Sequence, residues 1–77
     1  MIVKVQRPLF QSKPAADGQL PYLCYCEWRR HTVQQPVPQH AADILARRES
    51  GKAYFDCRWD ADAQLWIIGK QVKDQNW

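Results

Sequence analysis

Between Lys52 and Lys70 the chain reads Lys-Ala-Tyr-Phe-Asp-Cys-Arg-Trp-Asp-Ala-Asp-Ala-Gln-Leu-Trp-Ile-Ile-Gly-Lys, and few folds accommodate such a stretch. Two runs rich in aromatic and β-branched residues, Tyr54 to Trp59 and Leu65 to Ile68, flank the polar break Asp60-Ala61-Asp62-Ala63-Gln64. This pattern predicts a β-hairpin with a four- or five-residue loop. Side chains alternate across a strand, so Phe55, Cys57 and Trp59 share one face and Tyr54, Asp56 and Arg58 the other. If Trp59 pairs with Leu65, then Leu65 and Ile67 join the Phe55 face, and Arg58 sits opposite Trp66. A slip of one residue instead sends Trp66 and Ile68 to the core, so loop length decides which rings stay outside. Either register leaves apolar bulk on the second face, and that surplus points to a binding surface.

The remaining chain is read around this hairpin. Ile2 to Gln6 alternates as a strand and stops at Pro8, with Leu9 and Phe10 as apolar plugs. Gln11 to Gln19, with Pro14 and Asp17-Gly18, is a turn-rich connection. Leu20 to Arg30 is again strand-like, with Tyr22, Cys24, Cys26 and Trp28 on one face and Leu23 and Tyr25 on the other. Apolar residues on both faces suit a central strand, and Pro21 belongs at its start. His31 to Gln39 contains Pro36-Val37-Pro38 and is expected to be irregular. His40 to Glu49 carries Ala41, Ile44, Leu45 and Arg48 at helical spacing, with Gly51 as its stop. So short a helix has to dock Ile44 and Leu45 on the sheet to persist. Trp77 is expected to fold back over the core. The order is therefore β-β-α-β-β: an α+β fold in which a small antiparallel or mixed sheet carries one helix on a face.

A chain of 77 residues makes one domain, 1–77, with a thin core; such a chain buries only roughly 60% of its unfolded surface. Four Trp, three Tyr and two Phe supply much of the burial. The net charge of +3 mildly favours anionic partners but falls short of a strongly nucleic-acid-binding balance. Three cysteines do not close a disulfide framework, which favours a reducing, cytoplasmic setting. The opening residues are too short and too charged for a signal-peptide core, and no apolar run approaches the ~20 residues of a membrane span.

The residues offer little for catalysis. Cys24-Tyr25-Cys26 with Cys57, His31 and His40 has zinc-ligand types, yet an extended Cys-x-Cys lacks the turn that wraps an ion. Buried thiols filling core gaps are the better reading, so neither metal nor cofactor is expected. Asp60 and Asp62 sit where turns favour Asp, no glycine-rich phosphate loop exists, and no spacing forces a cysteine beside a histidine. The chain is read as non-enzymatic.

Binding classes remain. Gly51-Lys52-Ala53-Tyr54-Phe55-Asp56-Cys57 partly echoes the aromatic strand of RNA-recognition domains but lacks the stacking ring at Lys52 and the last aromatic at Cys57. Tyr54, Arg58 and Trp66 on one surface would make a cationic stacking platform for single strands. Surplus Trp, Tyr and Arg equally resembles a protein hot spot, with Arg29, Arg30, Arg47 and Arg48 steering towards an acidic partner. An exposed edge strand, Ile2 to Gln6, would permit homodimerisation.

Met1-Ile2-Val3-Lys4-Val5-Gln6 followed by Pro8-Leu9, with Lys52-Ala53-Tyr54-Phe55 after the helix and Trp77 at the end, resembles a group of short proteins from bacteria and their mobile elements. The resemblance spans most of the chain and implies no activity, cofactor or catalytic residue. Size and setting suggest, by analogy, an inhibitor of host defence complexes of the anti-CRISPR type. The leading expectation is thus a protein-binding module acting by occlusion. Its face would comprise Trp28, Arg29, Arg30, Tyr54, Arg58 and Trp66, rimmed by Arg47 and Arg48. Single-stranded nucleic-acid binding is the alternative.

Overall fold

The computed structural model describes residues 1–7 and 23–76. The plugs Leu9 and Phe10, the connection over 11–19, the strand start at 20–22 and the fold-back of Trp77 lie outside them.

The first strand, β1 (Ile2–Gln6), alternates as its sequence requires, with Val3 and Val5 fully buried. It lies at the centre of the sheet, antiparallel to β2 (Leu23–Trp28) on one side and to β4 (Lys52–Asp60) on the other. The expectation of an exposed edge at Ile2 to Gln6 is therefore wrong: a strand with valines on one face is secured by two neighbours. The edges are β3 (His31–Pro36) and β5 (Leu65–Val72), in the order β3-β2-β1-β4-β5.

The third strand corrects a second expectation, that 31–39 is irregular. Pro36 and Pro38 only end the element. Thr32 and Val33 pair with Glu27 and Cys26, and Pro36 is the last residue of an edge strand, where its missing N–H is tolerated. Three strands thus precede the helix rather than two. Two residues, Arg29 and Arg30, join β2 to β3, both with positive φ (47° and 65°). Two-residue hairpin turns of the primed type demand this backbone and usually take it with Asn-Gly.

Helix α1 (Gln39–Arg47) starts after Pro38, whose carbonyl accepts from the amides of Ala41 and Ala42. It is a residue earlier and two residues shorter at its end than its periodicity predicts, because Arg48 is already extended. Ala41, Ala42 and Leu45 are buried, while Ile44 is half-buried against the core. Gly51 (φ +71°) follows; a Cβ there would meet the Arg7 side chain, and the Arg7 amide donates to its carbonyl at 2.9 Å.

The β4–β5 turn settles the hairpin register. Asp60 Oδ1 accepts from the amides of Asp62 and Ala63, and Gln64 turns left-handed (φ 58°), which makes Asp60 pair with Leu65 and Trp59 with Trp66. Trp66 and Ile68 accordingly face the core. A register shift between Phe55 and Cys57 brings β5 close to the β4 backbone. There Gly69 is needed, since a Cβ would run into the Asp56 carbonyl oxygen.

The inner face collects Val3, Val5, Cys24, Cys26, Ala53, Phe55, Cys57, Trp66 and Ile68, with α1 and Val37 laid over it. The sheet curls until β3 and β5 approach each other. Gln35, only 3% exposed, spans that seam like a spare peptide group: its Nε2 donates to the Trp66 carbonyl (2.6 Å) and its Oε1 accepts from the Trp66 amide (2.7 Å). Three consecutive antiparallel strands with the fourth lying beside the first form a Greek key, here a partly open five-stranded half-barrel. Among the described residues no helix is long and apolar enough to cross a membrane.

Candidate functional site

The two ends of the half-barrel differ. At the end where β1 finishes and β4 begins, the helix closes the interior. At the other end converge the start of β1, the end of β4, the β2–β3 tip and the start of β5, and there aromatic residues gather.

Trp66 is the floor of this second end, 2% exposed. Trp28 and Trp59, both half-buried, meet it edge to face, with ring centroids 5.9 and 5.2 Å away and planes tilted 67° in each case. His31, exposed, continues the series against Trp59 at 5.6 Å. With Met1 these residues line a mostly apolar cleft of about 350 Å³. The local cause is the register: Trp59 faces Trp66 across β4–β5, and Trp28 faces His31 across β2–β3. Buried rings normally place their polar edge on a partner, yet Trp66 Nε1 has no hydrogen-bond acceptor among the described residues.

Beside Trp28 opens a second cleft of about 480 Å³, lined by Ile2, Glu27, Trp28, Arg29 and Arg30. The Arg29 guanidinium lies 5.0 Å from the Trp28 ring centroid, a cation–π distance. Glu27 is paired with Lys4 at 3.3 Å, so Arg29 and Arg30 set the sign of this corner.

Of the expected site residues, Trp28, Arg29, Arg30 and Trp66 come together here, though Trp66 from inside the core. Arg58 is exposed on the outer face but pairs with Ile67, not Trp66. Tyr54 is 3% exposed, with Lys4 of β1 and Val72 of β5 beside it in the ladder. A Tyr54–Arg58–Trp66 platform therefore does not form, because the hairpin takes the other register and β4 is an inner strand. Arg47 and Arg48 belong to the helix end, roughly 20 Å away along β4 at ~3.3 Å per residue. Arg48 is ion-paired with Asp74 there. His31, Trp59 and Met1 were not anticipated; reading Arg29-Arg30 as a two-residue turn would have set Trp28 directly against His31.

The thiols are buried on the inner face. Burial pushes Cys24 up to about 11 and Cys57 to about 11, the latter partly offset by the Gly69 amide and the amino terminus. Burial, with Cys57 and Cys24 nearby, pushes Cys26 to about 12. Protonated thiols are poor nucleophiles and poor ligands. His40 donates from Nε2 to the Gly69 carbonyl (2.7 Å) and lies edge-on to Phe55. Among the described residues no three His, Cys, Asp or Glu side chains are grouped to hold a metal ion.

Comparison with family models, with curated proteins and with solved structures yields no match.

Proposed function

We propose that this chain is a non-enzymatic binding module that takes single-stranded nucleic acid across its aromatic end. The observation that carries the reading is the pair Arg29-Arg30, held on a two-residue turn beside the Trp28–His31–Trp59–Trp66 cleft. Positive φ at two arginines costs on the order of 1–2 kcal/mol each relative to a relaxed backbone. Such strain persists where the position of the side chains matters more than the comfort of the turn. Rings that accept stacked bases next to guanidiniums that accept phosphates are the two halves of single-strand recognition. The partly open five-stranded Greek-key barrel is also the architecture of OB folds, many of which bind oligonucleotides; this support is by analogy.

The test is fluorescence anisotropy with a labelled oligonucleotide over a salt series. Affinity should fall steeply with salt, and replacing Arg29 and Arg30 by Ser should lower the slope by about two phosphate contacts. Absence of binding at low salt overturns the proposal.

A second reading, docking on a protein partner and occluding it as anti-CRISPR proteins do, rests on another surface. Leu23 and Tyr25 stand 46% and 41% exposed on the outer face of β2. Pull-down that is lost in Leu23→Ser/Tyr25→Ser and retained without Arg29 and Arg30 would favour it.

A further inference from the structure

We infer that the seam between β3 and β5 is a docking groove for an extended acidic peptide, which pairs with the outer edge of β5 and seats one apolar side chain in the cleft there. The inference stands apart from the nucleic-acid reading and concerns a different surface.

The first observation is the state of the edge. β5 is the last strand of the sheet, and no ladder joins it to β3 although the curl brings the two together. One carboxamide, that of Gln35, binds the Trp66 amide and carbonyl in the manner of a peptide unit from a further strand. Ile68, two residues on, directs its own amide and carbonyl to the same side, because backbone groups alternate along a strand. The second observation is shape. Beside Gln35 the seam opens into a cleft of about 420 Å³, walled by Pro36, Pro38, Leu65, Ile67 and Ile68, with no charged side chain among the described residues that line it. Ile67 is 39% exposed at this margin. A peptide added to a sheet edge draws affinity from main-chain pairing and selectivity from such pockets for alternate side chains.

The third observation is charge, and it selects the occupant. β5 contains no acidic residue. Lys70, Lys73 just beyond the strand and Arg58 across from Ile67 are exposed and have no ion pair among the described residues. The carboxylates on the neighbouring elements are engaged: Asp43 accepts from Gln39, Asp60 from the amides of its own turn, Asp56 from the Met1 amino group and Asp74 from Arg48. Asp62 at the turn and Glu49 past the end of α1 are without a side-chain partner among the described residues, and neither belongs to β5 or lines the cleft. A second copy of β5 would bring the same cations to the interface, and lysine on an edge discourages that self-pairing. An acidic strand matches them, since opposite charges across a ladder attract.

The experiment titrates a labelled peptide of alternating valine and glutamate into the whole chain, beside a valine–lysine peptide of equal length. The acidic peptide should bind about ten-fold or more tightly, as complementary charge at a docking edge implies. Lys70→Glu/Lys73→Glu, at two exposed positions outside the core, should abolish or reverse that preference, and Arg29→Ser/Arg30→Ser should leave it unchanged. N-methylation of one set of alternate peptide amides should remove binding while methylation of the other set is tolerated. The bound peptide should also slow exchange of the Ile68 amide, which a contact through side chains alone would not do. Equal affinity for the two peptides, absence of binding included, overturns the inference, as does undiminished binding of both N-methylated forms. Displacement of the acidic peptide by oligo(dT), with the same loss in Lys70→Glu/Lys73→Glu, overturns it too and makes the edge a track for phosphates. Because the oligonucleotide test turns on Arg29 and Arg30, either proposal can fail while the other stands.

Discussion

The two ends of this half-barrel solve one problem with different materials. At the helix end, Val37, Ala41 and Leu45 join Phe55 and Val5 in one apolar cluster, with the His40 ring edge-on to Phe55. At the other end, Trp66 is covered by Trp28 and Trp59, which leaves its indole nitrogen without an acceptor, and the adjacent turn carries two strained arginines. An end that serves only stability can be finished with methyl groups. The second end instead carries a buried donor without an acceptor among the described residues and a charged turn of positive φ.

The sharpest way to break this contrast is to damage each end in turn. Phe55→Ala removes the ring beneath the helix and should cost about 4 kcal/mol, read as a large fall in the urea midpoint. Trp59→Ala, at the half-buried rim, should cost about half as much. Equal losses would mean that both ends are merely structural. Next in size is Gln35→Ala, which severs both links between β3 and β5 and strands the Trp66 amide and carbonyl. A loss of about 3 kcal/mol is expected, with faster hydrogen exchange along β3 and β5 but little change in β1.

Alkali probes the region between the ends, where the thiols lie. The unfolded chain releases thiol protons near the ordinary value of 9.0, whereas the folded chain holds them until about 11 to 12. The folded state therefore binds more protons in that window, and stability must fall as pH rises through it. The contribution is intact below pH 9.0 and gone above about 12. Urea midpoints across the window, with Cys26→Ala as control, check the sign. The smallest expected effect is the most telling. Replacing Arg29-Arg30 by Asn-Gly should raise stability by about 1 kcal/mol, because that pair suits positive φ. The same change should reduce oligonucleotide binding. A gain in stability without loss of binding would show that the arginines serve no ligand.

Much of the architecture was legible because burial writes alternation into strands. The strand Ile2–Gln6 is read with its observed bounds, and the hairpin of Tyr54 to Trp59 with Leu65 to Ile68 follows from its rings and polar break, although its strands run on to Lys52–Asp60 and Leu65–Val72. The third strand was hidden by Pro36 and Pro38, since proline reads as a breaker unless one knows it ends an edge. The site was half legible. Trp28 with Arg29 and Arg30 stood out by composition, while His31 and Trp59 joined them only through pairing across two different hairpins.

By itself, the order of residues determined that aromatic and β-branched runs would make a small sheet with a short helix, because local periodicity and turn chemistry act within a few neighbours. It left open which rings face out. That was decided in three dimensions, where one residue of register exchanges the two faces of a strand and where β3 and β5 meet through Gln35 and Trp66, 31 positions apart. Contacts so distant along the chain depend on how the whole sheet curls, and no short stretch of sequence encodes that curl.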